Sequence, residues 1–229
     1  YTTYSHMANG VWSTPPETTR GGAQARAFDI DQLQEGAGGA GFGTVPELHR
    51  DYEEEELWDN FTSFAREVAP VAEEAGVRIG IHPDDPPGVT LGRVPRPIFS
   101  SFAGYKRAME IADSPNIGLC LCIGCWLEGG EAMGEGVEET IRYFGGQEKI
   151  FKVHYRNVDK PLPHFVETFV DDGYFDMYRA MKVLQEVGFD GTLIPDHIPH
   201  MGDDPRLGTA YTIAYMRALQ KRAEEESVG

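Results

Sequence analysis

Cysteine is scarce in this 229-residue chain, and the three it has fall within six positions, in the stretch LCLCIGCW from Leu119 to Trp126. An odd count crowded into one segment excludes a disulfide framework, which spreads even numbers of cysteines along a short secreted chain. Neighbouring cysteines on one strand are also poorly placed to bridge each other. No second CxxC and no HxxxH partner is present, so a zinc finger is excluded as well. No apolar run approaches the roughly 18 residues that cross a bilayer. No GxGxxG or P-loop opens a helix, which removes the usual signatures of dinucleotide and nucleotide phosphate binding.

Positive charge is also short. Twenty Lys and Arg face 37 Asp and Glu, a net charge of −17. That balance argues against nucleic acid, whose phosphates need a basic surface. An anionic substrate would have to be captured locally, by a metal or an arginine, against an unfavourable overall field. Reduced, clustered cysteines and the absence of a signal-peptide pattern predict a cytoplasmic protein with no membrane partner.

What is present is rhythm. Short apolar runs alternate with amphipathic stretches. The expected helices cover 51–76, 104–112, 135–146, 176–191 and 208–226, several of them stopped by glycine. The expected strands are 77–87, 117–124, 149–158 and 192–197, with YTTYSHMANG as one more near the start. Alternation at this spacing predicts a parallel sheet with right-handed crossovers, and the near-continuously apolar strands fit burial under helices. The expected fold class is α/β, a (β/α)8 TIM barrel in a single domain over 1–229. Five strand–helix units are three short of a barrel, so about three amino-terminal units are expected to be lacking from this chain. Residues 10–50, rich in glycine and proline, read as a lid-like loop.

Each strand run ends in chemistry. His82, Cys122, His154 and Asp196 lie at or near the carboxyl ends of successive strands, where a barrel carries its active site. Taken singly, each has an ordinary reading as a core histidine, a small buried hydrophobe or a helix cap. Together, two imidazoles, a thiolate and a carboxylate form a metal-ligand set. Imidazole and carboxylate suit manganese, iron or cobalt, and the thiolate admits zinc. A closed structural zinc site is the alternative to a catalytic one. Arg156 lies two residues beyond His154, on the same face, with Lys152 behind them. It can hold a substrate carboxylate with two parallel hydrogen bonds, or pair with a neighbouring Asp or Glu. Cys120 reads as core, and Cys125 as packing or loop.

The motifs IHPDDPP, the CxG of CIG, HYRN, VDDGYFDMY and PDH resemble the mannonate dehydratase family, from about Asp51 to Leu219 in consistent order. YSHMANGVWST resembles the family's fourth strand and following loop less closely. The segment after PDH reads IPHM where GHQM is usual, which leaves the exact aldonate open. The resemblance implies a xylose-isomerase-like TIM barrel and a hydro-lyase of hexuronate degradation, converting D-mannonate or a related aldonate to 2-keto-3-deoxygluconate. It implies that His82, Cys122, His154 and Asp196 bind one divalent metal, Mn2+ first, with Co2+, Fe2+, Mg2+ and Zn2+ as alternatives. His197 and Tyr211 match its acid/base pair, although Tyr211 also reads as a core aromatic. The implied partners are a small anionic sugar acid and further copies of the chain, with no nucleic acid. A sugar isomerase or epimerase on the same barrel and a non-catalytic metal-binding paralogue are the competing readings.

Overall fold

The computed structural model describes residues 2–5, 13–32, 52–89 and 98–227. Five strands form one parallel sheet: β1 (Thr2–Ser5), β4 (Ile79–His82), β5 (Ile117–Cys122), β6 (Ile150–Tyr155) and β9 (Thr192–Pro195). Their order across the sheet is their order along the chain, and every neighbouring pair is parallel. A doubly wound sheet reverses its strand order at a switch point, whereas a barrel adds each strand beside the last. The sheet therefore follows the barrel pattern. Among the described residues, β1 and β9 are its two borders.

The helices between the strands are α1 (Glu54–Glu74), α2 (Phe102–Ala112), α3 (Ile123–Gly129), α4 (Val137–Gly145), α5 (Met177–Glu186) and α6 (Pro205–Ser227). Local chemistry sets their ends. Three glutamates occupy the first turn of α1, where the helix dipole favours negative charge, and Gly76 at φ 63° follows its end. Ser101 caps α2 by accepting from the Gly104 amide, and Asp176 caps α5 by accepting from the Tyr178 amide. Helix α1 buries Leu57, Phe61, Ala65, Ala69 and Ala72 at helical spacing, one stripe against the sheet. Strands β4 and β5 are buried along their whole length, which explains their unbroken apolar sequences.

The expected loop at 10–50 is corrected in part. Residues 14–18 and 24–29 pair as an antiparallel hairpin, β2 (Thr14–Thr18) and β3 (Gln24–Asp29); residues 33–50 lie outside the described ones. The hairpin joins β8 (His164–Thr168) and the short β7 (Asn157–Val158) in a four-stranded antiparallel sheet ordered β2-β3-β8-β7. Phe28 stacks on Phe165 across the β3–β8 pair at 5.6 Å between ring centroids. Because β7 and β8 directly follow β6, this second sheet lies beyond the carboxyl end of the barrel strands. The backbone amide of His200 donates to Gln24 O at 2.8 Å, tying the hairpin to the segment after β9. No described helix is long and apolar enough to cross a membrane.

Candidate active site

Parallel register brings the expected ligands together. Cys122 and His154 are direct partners across β5 and β6, and β4 supplies His82 at its last position. Ligand atoms of His82, Cys122 and His154 lie within 4.8 Å of one another. His82 Nε2 is 3.2 Å from His154 Nδ1. Asp196, the residue after β9, lies beside the group: its Oδ2 is 4.0 Å from Cys122 Sγ and 3.8 Å from His154 Nδ1. His82 Nδ1 sits 2.7 Å from the Pro83 carbonyl, which fixes the ring and leaves Nε2 for the cluster.

The electrostatics suit a thiolate ligand. Burial raises the Cys122 thiol, but Cys125 beside it, the Arg156 charge and the two imidazoles outweigh that effect and hold it well below the ordinary thiol range. Burial opposes a charge on His82, yet the adjacent Cys122 and Asp85 keep its pKa above the usual histidine value. Two imidazoles, a ready thiolate and a carboxylate, from four strand ends, fit a divalent cation.

Arg156 is the second centre of the site and is 1% exposed. Its Nη1 donates to Glu167 at 2.7 Å, and its Nη2 lies 2.8 Å from Glu128 and 3.3 Å from Asp85. Its Nε is 3.5 Å from Asp196. Cys125 and Cys122 approach Nη2 at 3.3 and 3.5 Å. The guanidinium thus meets protein carboxylates on all three nitrogens, the ion-pair reading of Arg156 rather than an open fork for a ligand. Burial opposes its charge, but Glu128, Asp85, Cys122 and Glu167 hold it firmly protonated. Although Glu128 is close, neither of its oxygens receives a well-directed hydrogen bond, and burial drives its carboxyl well above the usual range. Gly124 makes this cage possible. A Cβ there would stand 2.1 Å from Arg156 Nε, inside contact distance.

Asp85, Cys125 and Glu128 also have ligand atoms within 4.8 Å of one another. Arg156 already supplies the cation there. Besides Glu128, three carboxyl groups and the Cys122 thiol, itself held below the ordinary thiol range, crowd that single guanidinium, so the buried site has more acidic groups than basic side chains to balance them. A second cation beside it would balance that excess.

His197 follows Asp196 with φ 43°, an uncommon left-handed conformation for a non-glycine residue at a site where strain is often stored. Its Nδ1 is 2.9 Å from Glu167 Oε1 and in close contact with Arg156 Nη1, and its Nε2 is 3.8 Å from Asp196 Oδ1. Tyr211, on α6, is held elsewhere. Arg20, at the tip of the β2–β3 hairpin, donates to its hydroxyl at 3.2 Å and forms a two-pronged pair with Asp171 at 2.8 and 2.9 Å. The Phe169 ring packs edge-on against Tyr211, with the Arg20 guanidinium 4.9 Å from its centroid. The structure therefore unites His82, Cys122, His154, Asp196, Arg156 and His197, and places Tyr211 in a neighbouring cluster with Arg20 and Asp171.

Sequence reasoning missed Asp85, Glu128, Glu167 and Arg20. Asp85 lies in HPDDPP, but nothing in the motif ties it to an arginine 71 residues away. Glu167 sits in an otherwise ordinary β-strand, and its role is visible only once β8 is in place. Cys125 lies in α3, buried and against Arg156, a packing residue with an electrostatic neighbour. Cys120 is buried in β5 as expected.

The sequential parallel sheet defines the fold as that of a xylose-isomerase-like TIM barrel. A xylose isomerase domain protein from Alicyclobacillus acidocaldarius shares the fold at TM-score 0.56 and 18% identity, over 76% of this chain and 62% of its own. The family model for D-mannonate dehydratase (UxuA) matches residues 37–226, and the chain belongs to that family. "Mannonate dehydratase 2" from Halalkalibacterium halodurans is 38% identical over 156 residues, 67% of this chain and 44% of the relative. "Mannonate dehydratase" from Thermotoga neapolitana is 34% identical over 191 residues, 78% and 52% respectively. The crystal structure of mannonate dehydratase from Streptococcus suis serotype 2 matches at TM-score 0.81 and 26% identity, covering 98% of this chain and 67% of that one. This chain spans about half the length of the curated relatives.

Proposed function

We propose that the protein dehydrates D-mannonate, or a closely related aldonate, to 2-keto-3-deoxygluconate and water. The observation that carries this reading is the meeting of His82, Cys122, His154 and Asp196 beside His197, at the carboxyl ends of successive strands. These four residues would hold one divalent ion, Mn2+ by preference. When bound, that ion supplies Lewis acidity to the substrate carboxylate and its neighbouring hydroxyl, where negative charge develops as the C2 proton leaves.

The protein's own groups handle the protons. His197 and Tyr211 divide the two transfers, one taking the proton from C2 and the other giving one to the departing C3 hydroxyl. The C2–H electron pair becomes the new double bond as the C3–O bond breaks, water leaves, and the enol ketonises. Arg156 keeps Glu167, Asp85, Glu128 and Asp196 in place. Holding a substrate carboxylate, its alternative role, would require it to leave part of that cage. Cytoplasmic residence and assembly with further copies are proposed with this activity.

The test is elemental analysis of the wild type and Cys122→Ser prepared side by side, followed by a keto-acid assay on aldonates. About one Mn2+ per chain in the wild type, sharply reduced in the variant, with keto-acid formed from D-mannonate, is the expected result. Turnover of an aldose but no aldonate would move the assignment to an isomerase or epimerase. Bound metal without any turnover would make the chain a metal-binding paralogue. Tightly held zinc that only denaturation releases would make the site structural.

A further inference from the structure

Tyr211 is one of the two groups proposed to move protons, and it stands in a cluster of its own. Three segments far apart in the chain meet there: the tip of the β2–β3 hairpin, the turn after β8, and α6. The tip is tight. The Thr19 amide donates to Ala23 O at 2.8 Å, and Gly21 and Gly22 both take left-handed φ, 68° and 81°. Arg20 reaches from that turn to α6. Its two-pronged pair with Asp171 fixes the plane of the guanidinium, and Asp172 adds a longer contact at 3.7 Å. The buried Phe169 ring lies against both Arg20 and Tyr211. A second tie, between Gln24 and His200, holds the same hairpin to the connection from β9 to α6.

Donor chemistry orders these contacts. A guanidinium can only donate, so the Tyr211 oxygen accepts from Arg20 Nη2 at 3.2 Å, and the same nitrogen serves Asp171 Oδ1 at 2.9 Å. The phenol hydrogen is left for the Asp171 carboxylate. Burial raises the Asp171 carboxyl, but the hydrogen bonds from Arg20 and Tyr211 outweigh that effect and hold it below the usual carboxylate range. Whichever way a proton passes through Tyr211, charge changes on the oxygen that Arg20 touches, and a fixed cation beside that oxygen needs no rearrangement to meet it. We propose that Arg20 is the positioning residue of Tyr211, fixing the phenol from the hairpin tip and keeping Asp171 paired so that its charge does not oppose proton transfer. The part in proton transfer rests on the dehydratase reading; the contact itself does not. Through it the antiparallel sheet lends a residue to the chemistry of the barrel.

The experiment combines NMR of protein carrying 13C at the Cζ of its ten tyrosines with the keto-acid assay, on wild type, Arg20→Ala and Arg20→Lys. Tyr211→Phe assigns the Tyr211 resonance. That resonance should move in Arg20→Ala, and move less in Arg20→Lys, which keeps the charge and loses the fork. Metal content should be equal in all three. Arg20→Ala should lose roughly 10–100-fold in kcat, the order that a misplaced reacting group costs, with KM within about threefold, and Arg20→Lys should recover part of the loss. An unmoved Tyr211 resonance would overturn the assignment. So would a raised KM at unchanged kcat, which would make Arg20 a substrate-binding residue, or a loss of metal, which would place its effect at the ligand cluster. If Arg20→Ala does not fold, Arg20→Lys decides on the same readings, with a smaller displacement and a smaller loss expected. An inactive wild type whose Tyr211 resonance still answers to Arg20 would sink the dehydratase reading and leave the contact in place.

Discussion

Two clusters, one buried and one nearly so, lie side by side at the strand ends, and both have the donors of a metal site. His82, Cys122 and His154 make one; Asp85, Cys125 and Glu128 make the other. Each contains a cysteine, and the two cysteines are three residues apart. The difference is the cation. Arg156 inserts its guanidinium into the second cluster and reaches only the edge of the first, where its Nη2 stands 3.5 Å from Cys122 Sγ and its Nε 3.5 Å from Asp196. Donor spacing alone does not make a metal site. A cluster whose charge the protein already balances is a structural cage, and one left in deficit beside it is where an ion is needed.

The sharpest way to break this comparison is to remove the cage's cation. Arg156→Leu leaves Asp85, Glu128 and Glu167 buried around an apolar side chain, and should cost about 3–5 kcal/mol of stability in denaturant unfolding. A variant as stable as the wild type would mean that those carboxyls are protonated and need no partner.

The two cysteines test the contrast directly. Cys122→Ser should weaken metal binding beyond the roughly 10–100-fold that loss of a supporting partner costs, whereas Cys125→Ser should retain the metal. Equal loss in both would merge the clusters into a single site.

Gly124→Ala probes the cage from its floor. A methyl group 2.1 Å from Arg156 Nε must push the guanidinium away, with an expected cost of about 1–3 kcal/mol. Thermal unfolding measures it, and an unaltered melting point would show that the arginine has room to retreat.

The smallest expected effect, taken per unit of pH, is that of Glu128→Gln. Burial raises the Glu128 carboxyl well above its ordinary 4.5 in the folded chain. Between the unfolded and folded values the unfolded state gives up a proton that the folded state keeps, so this group's contribution falls as pH rises through that window. Glu128→Gln removes the penalty. Its stability relative to wild type should improve as pH rises above about 4.5, by at most about 1.4 kcal/mol per pH unit. Urea midpoints measured from pH 5 to pH 8 decide it, and parallel curves would place an ordinary ionised carboxylate at Glu128.

The parts legible in the sequence were those governed by local pattern. The four strands that end at or just before His82, Cys122, His154 and Asp196 lie within the expected segments, because β4 and β5, buried on both faces, read as apolar runs, β6 and β9 are short and mostly apolar, and the helices between them read as amphipathic. The hairpin at 14–29 did not read that way. Its TPPET strand contains two prolines, which normally argue against a strand and are tolerated here in β2, at the border of the second sheet. Helix α3 begins at the residue after β5 with no linker to announce it, so IGCWLEG reads as more strand or loop.

Sequence by itself determined which residues reach the strand ends, since alternation and strand length fix where each apolar run stops and a polar donor begins. It also carried the motifs by which the family is known. Only the tertiary structure decided how those donors are shared. Parallel register set Cys122 beside His154, the absence of a side chain at Gly124 let Arg156 take the neighbouring carboxylates, and β8 carried Glu167 to His197 from 30 residues away. A side chain's charge is written in the sequence, but which opposite charge neutralises it depends on distance in space, and that is settled only when the strands pack.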